Sequence, residues 1–204
     1  MGECQGRPGR VVVIEGDEGL GKSRLLVEFV RGARTRDPSA VILSGTAFGS
    51  EQTRPYAAVR PLIPQLTSAR GASAAPAESL AALAHLAPEG RERYRSLPDF
   101  RADEPLSRHV ERVVADVAEE QPLLLALDDA PPADSAIQEL LGALVRRPTR
   151  RVLLVLAGRR EAWSRSPLGL DLQQASGRVE RLKLGPLSPS QVEALLASMA
   201  PFVP

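Results

Sequence analysis

Gly16-Asp17-Glu18-Gly19-Leu20-Gly21-Lys22-Ser23 is the stretch on which the fold turns. Before it, Val11 to Ile14 is a short, β-branched, continuously apolar run, the mark of a strand buried on both faces. After it, Leu25, Leu26, Phe29, Val30 and Ala33 recur at helical spacing, which predicts a helix from about Lys22 to Arg34. A strand, a glycine-rich turn and a helix, in that order, are the context a phosphate-binding loop requires. The residue types fit that chemistry. Gly16, Gly19 and Gly21 let the backbone wrap closely, so the amides from Gly16 through Asp17, Glu18 and Leu20 to Ser23 can point at phosphate oxygens. The helix that follows adds the partial positive charge of its N-terminus. Lys22 supplies a mobile cation for the β and γ phosphates, and the Ser23 hydroxyl is an oxygen ligand suited to Mg²⁺.

Working outward, Leu123 to Leu127 is a second strand without a polar residue, closed by Asp128 and Asp129. A strand parallel to the first would deliver this pair of carboxylates beside bound phosphates. Asp128 is then expected to hold Mg²⁺ through its water shell. Asp129 stands where an acid can orient or deprotonate the water that attacks a γ-phosphate. A third strand, Val152 to Ala157, ends at Gly158, Arg159 and Arg160, and Arg159 is the candidate to sense the γ-phosphate, with Arg160 its rival. His85 and His109 occur singly and are read as structural or surface residues. Cys4 and Trp163 receive no chemical role, and Arg91, Arg93 and Arg95 are read as solvated.

The remaining pattern completes an α/β chain. Ala40 to Leu43 is expected as a strand, and Tyr56 to Leu66 as a helix despite Pro61 and Pro64. From about residue 67 to 105 the sequence turns irregular and reads as an insertion leaving the core, with a short helix around Leu80, Leu83, Ala84 and Leu86 that Pro88 and Gly90 end. Helices follow at Leu106 to Glu120 and over Ile137, Leu140, Leu141, Leu144 and Val145, the latter capped by Asp134. Val179 to Leu184 alternates as an edge strand does. Ser188 and Gln191 form a capping box around Pro189 ahead of Val192, Leu195, Leu196 and Met199. Buried strands alternating with helices predict a doubly wound, mainly parallel sheet in one domain, with ligands at the carboxyl ends of the strands.

Composition narrows the function classes. The chain has 204 residues, 43% hydrophobic and 25% charged, with a net charge of +1. That matches neither a disordered chain nor a strongly basic nucleic-acid binder, so direct nucleic-acid binding is not expected. A single cysteine makes no internal disulfide, no apolar run is long enough for a membrane span, and a secretory signal is missing, so the expected compartment is the cytoplasm.

With the phosphate loop, L-L-L-A-L-D-D and A-G-R-R-E in order, the chain resembles the signal-transducing P-loop ATPases of the STAND group, and within it the AAA-like ATPase module of large ATP-binding LuxR-type transcriptional regulators of bacteria. The likeness also takes in R-P-Y-A-A-V, D-D-A-P-P-A-D-S and L-G-P-L-S-P-S-Q-V, and runs from about Val11 to Ser198. It implies a P-loop NTPase core with ATP and Mg²⁺ as cofactors and slow hydrolysis that controls an attached effector domain or partner; a nucleotide-dependent oligomer is compatible with it, and the oligomeric state is left open. Residue by residue, Lys22 and Ser23 match the phosphate-loop positions, Asp128 the Mg²⁺ carboxylate, Asp129 the second acid and Arg159 the strand-end arginine. Two features depart from the pattern. The upstream G-R-E segment that seats the base is missing, and Pro131 and Pro132 stand where such modules commonly have histidine and tryptophan. No effector domain is visible after the last helix. The alternatives are a nucleotide sensor without significant hydrolysis and a DNA-associated ATPase of the replication-initiator type.

Overall fold

A computed structural model describes residues 9–47, 55–87 and 104–199. Cys4, Pro88, Gly90, Arg91, Arg93 and Arg95 lie outside the described residues, as does the first residue of R-P-Y-A-A-V. Five strands, β1 (Arg10–Glu15), β2 (Val41–Thr46), β3 (Leu123–Asp128), β4 (Val152–Gly158) and β5 (Val179–Lys183), form one sheet in the order β2-β3-β4-β1-β5. Every pairing is parallel. Parallel neighbours cannot be joined by tight hairpins, so helices carry the connections. These are α1 (Lys22–Arg36), α2 (Ile63–Ser68), α3 (Ala77–Leu86), α4 (Leu106–Glu120), α5 (Ser135–Arg146), α6 (Arg160–Arg165) and α7 (Pro167–Gln174), with α8 (Pro189–Met199) after the last strand.

The pleat sends alternate side chains to opposite faces, and each face has its own core. On one, Val13, Leu43, Leu125, Leu127, Leu154 and Leu156 pack with residues from α2 to α7. On the other, Ile14, Ile42, Leu124, Ala126, Val155 and Ala157 meet Leu26 and Val30 of α1. Helices therefore flank the sheet on both sides, as the alternation of strands and helices predicts. Leu25 and Phe29, expected on the buried face of α1, are exposed, because Leu26 and Val30, with Ala33 packed beside them, take the inward direction.

Several elements differ from the sequence reading. Tyr56 to Leu66 is not one helix. A turn leads into a 3-10 segment at Arg60–Leu62, and α2 begins only at Ile63, since Pro61 and Pro64 suit the first turn of a new helix better than a helix interior. In the stretch read as an insertion, α3 packs into the core: Leu80 and Leu83 are buried in the same cluster as Val113 and Val117 of α4. His109 of α4 faces α3, with Nδ1 3.2 Å from the Ser79 hydroxyl, while His85 is exposed. Helices α6 and α7 are not anticipated by the sequence reading. Trp163, Leu168 and Leu172 are nevertheless buried on them. The capping box of α8 forms as expected, Ser188 N donating to Gln191 Oε1 at 2.8 Å and Gln191 N to Ser188 Oγ at 3.3 Å. Its apolar residues Val192, Leu195 and Leu196 are exposed. Among the described residues no helix is long and apolar enough to cross a membrane.

Candidate nucleotide site

Register places the site. Glu15 pairs with Gly158 and Leu127 with Leu156, so β1, β4 and β3 end at one edge of the sheet with β4 in the middle. The loop 16–23 leaves β1 at that edge, Arg159 follows β4 there, and Asp128 closes β3. Gly19 and Gly21 adopt φ of 81° and 85°, the left-handed region that a side chain would oppose. Gly21 is also the N-cap of α1 and offers no side-chain cap, and the first turn of α1 holds no acid. The helix thus keeps its free amides and positive end for an external anion.

Lys22 is only 7% exposed, and its Nζ donates to the Asp17 carbonyl at 2.7 Å, across the mouth of its own loop. Ser23 is exposed in the first turn of α1. Asp128 and Asp129 are half-buried, and Asp128 Oδ1 accepts the Asp129 amide at 3.0 Å. Asp129 itself takes a left-handed φ of 47°, which aspartate tolerates better than most residues. Burial pushes its carboxyl above the ordinary range of 3.8, and the neighbouring Asp128 charge pushes the same way, while Lys22 and Arg159 pull it down and Glu18 raises it again. The acidic doublet and the phosphate loop therefore share one electrostatic neighbourhood, although their segments lie more than a hundred residues apart in sequence. Arg159 reaches back over the loop, its Nη2 2.8 Å from Glu18 Oε2. Arg160 starts α6 and is exposed. A cleft of about 510 Å³ opens beside this pair, lined among others by Asp17, Glu18, Pro131, Gln138, Arg159 and Arg165.

Two supports of the site are missing from the sequence reading. Glu15, buried at the end of β1, pairs with Arg181 of β5 and ties the strand that launches the loop to the sheet edge. Gly158 is the second. A methyl group there would collide with the ring of Pro131 and lie 3.1 Å from Trp163 Cζ2. Pro131 is buried, so the loop after Asp129 packs directly on the end of β4. A prolyl residue two positions after an acid, and a glycine ending a buried strand, were the available signals.

The oxygen donors of Ser23 and Asp128 suit Mg²⁺, which takes one or two protein ligands and fills its octahedron with water and phosphate. Among the described residues no cluster of three or more His, Cys, Asp or Glu side chains makes a metal cage of its own.

Residues 3–156 of the 204 match the family described as AAA ATPase domain. The chain belongs to that family. This AAA ATPase domain has no significant match among curated proteins. Its fold is similar to that of Cdc6p from Pyrobaculum aerophilum, at a TM-score of 0.54 and 15% identity, covering 95% of this chain and 44% of that one. The ORC1 protein of Aeropyrum pernix, solved in complex with DNA, gives 0.52 at 17% identity over 95% of this chain and 44% of that one. The ORC2 protein of the same organism, solved as ADPNP-ADP complexes, gives 0.51 at 16% identity over 94% and 46%. The AAA ATPase domain thus spans less than half the length of these structures.

Proposed function

We propose that this AAA ATPase domain binds ATP with Mg²⁺ and hydrolyses it slowly, and that it serves as a nucleotide switch in a LuxR-type transcriptional regulator. The observation that carries the ATP reading is the strand register, which brings loop 16–23, Arg159 and the acidic doublet to one end of the sheet, beside a helix N-terminus without a side-chain cap. In this reading the amides of Gly16 to Ser23 grip the phosphates. Lys22 leaves the Asp17 carbonyl and moves its ammonium to the β and γ oxygens, and Arg159 turns to the γ-phosphate. Ser23 and Asp128 hold Mg²⁺, which when bound spreads the charge of the phosphate oxygens. Asp129, ionised, orients the attacking water and takes its proton. Family membership and the nucleotide in the ORC2 structure support the ligand. The regulator context rests on the sequence resemblance alone.

The experiment is Lys22→Ala. A fluorescent-nucleotide titration is expected to show affinity reduced by at least about tenfold, as loss of a charge-assisted phosphate contact implies. Affinity equal to that of the unaltered chain overturns the reading. A second reading, a DNA-associated ATPase, draws on the fold shared with ORC1 in its DNA complex. The net charge of +1 speaks against it, and a salt-dependent shift of labelled duplex DNA by this chain would favour it.

A further inference from the structure

The acid at the third position of the phosphate loop has no part in gripping phosphate through its side chain. Glu18 presents a carboxylate at the loop mouth, and that carboxylate holds Arg159 at 2.8 Å. Both side chains are well exposed, 77% for Glu18 and 59% for Arg159, so burial does not lock the pair. Register places the pair: Arg159 follows β4 at the end where the loop leaves β1 and Asp128 closes β3, so the Glu18–Arg159 contact lies at the mouth of the phosphate loop. Lys22 is held in the same manner, by the Asp17 carbonyl of its own loop. The loop therefore occupies both its own cation, Lys22, and Arg159 from the end of β4 with loop oxygens, one neutral and one ionised.

From this we infer that Glu18 is a specificity-determining residue, an internal carboxylate that stands on Arg159 in place of the γ-phosphate and is displaced by a triphosphate but not by a diphosphate. The inference rests on the ATP reading above. Its physical basis is competition for one guanidinium. A phosphoryl group offers Arg159 more charge and more acceptor oxygens than a carboxylate, so it wins the exchange, and Glu18 is then freed beside it. Freed, Glu18 repels the same phosphate. Each effect weakens triphosphate binding, while a diphosphate, ending short of Arg159, leaves the pair intact. Discrimination is thereby shifted towards ADP, and entry of ATP is coupled to release of the contact between the loop after β1 and the end of β4.

The test compares a non-hydrolysable ATP analogue with ADP, both with Mg²⁺, in the full chain and in Glu18→Gln, Arg159→Gln and the double variant. Competition against a fluorescent nucleotide gives the affinities, and the exposed positions of both residues keep the variants folded. Glu18→Gln is expected to move the affinity ratio about three- to tenfold towards the triphosphate, the scale of an exposed ion pair plus a relieved repulsion. In the Arg159→Gln background the same change is expected to move it less, because the competition has lost its object and only the repulsion is left to relieve. A ratio that Glu18→Gln leaves in place, or moves equally with and without Arg159, overturns the role of Glu18 while nucleotide binding itself stands. If the unaltered chain binds neither nucleotide, the ATP reading fails, and the role of Glu18 with it.

Discussion

Asp129 carries most of the residue-scale chemistry, since its carboxyl sits in a left-handed turn where burial and the Asp128 charge make it hold its proton more tightly. Its φ of 47° is a conformation that asparagine shares readily, so Asp129→Asn removes the acid and leaves the turn. Phosphate release is expected to fall by at least about a hundredfold in that variant, the usual contribution of a positioned base. The pH dependence follows from the sign of the shift. Burial and Asp128 raise the carboxyl, so at a given mildly acidic pH less of it is ionised than of a free aspartate. The acid limb of kcat/KM should therefore sit above the ordinary value of 3.8. Removing Asp128 as Asn should lower the Asp129 titration and removing Arg159 as Gln should raise it, both read by carboxyl NMR in the free protein. For stability the sign is the reverse of a salt-bridged acid: the folded state holds the proton more tightly, so the contribution is present below the ordinary value and lost as pH rises through the folded one.

At the scale of elements, two caps of the same type should have different consequences. Asp134 Oδ1 accepts the Ile137 amide at 3.0 Å at the start of α5, whose Ile137, Leu140 and Leu141 lie deep in the core. Asp134→Ala should lower global stability by about 1 kcal/mol, seen as an earlier denaturant midpoint with an unchanged slope. Ser188 caps α8, whose apolar residues face outward. Ser188→Ala should leave the midpoint nearly in place and speed amide exchange within α8 instead. The caps themselves were legible, because Asp134 and the Ser188–Gln191 pair are local signals. What covers α8 was not, since a stripe of Val192, Leu195 and Leu196 states that a face is apolar and not whether anything meets it. Local reasoning also separated β1, β3 and β4 cleanly, as each is a continuous apolar run. It missed α6 and α7, although Ser166 followed by Pro167 is a start signal and Ser166 Oγ does accept the Gly169 amide at 3.0 Å. The phosphate loop and the acidic doublet were readable by type and spacing. The Glu18–Arg159 pair joins the loop to a residue far along the chain and becomes visible only when β4 is seated beside β1.

For the molecule as a whole, the charges around the loop mouth bear on how binding and stability are linked. Glu18 and the Asp128–Asp129 doublet lie near Lys22 and Arg159, so a bare triphosphate meets carboxylates there as well as cations. Mg²⁺ is then expected to serve affinity as well as chemistry, because its two charges offset those carboxylates. A ligand that binds only the folded state stabilises it by about 2.7 kcal/mol at a hundred times its Kd. In a chain of this length that corresponds to roughly 5–10 °C in Tm. ATP with excess Mg²⁺ should produce such a rise, and chelating the metal should cut it by roughly half or more. Lys22→Ala should cut the rise with Mg²⁺ by about half or more, as a tenfold loss of affinity implies. Because Lys22 is nearly buried and bonded to its own loop, that variant needs its ligand-free Tm as the baseline. A rise that survives chelation undiminished would mean that the loop amides and Lys22 outweigh the acids without help, and the metal would then be confined to the hydrolytic step.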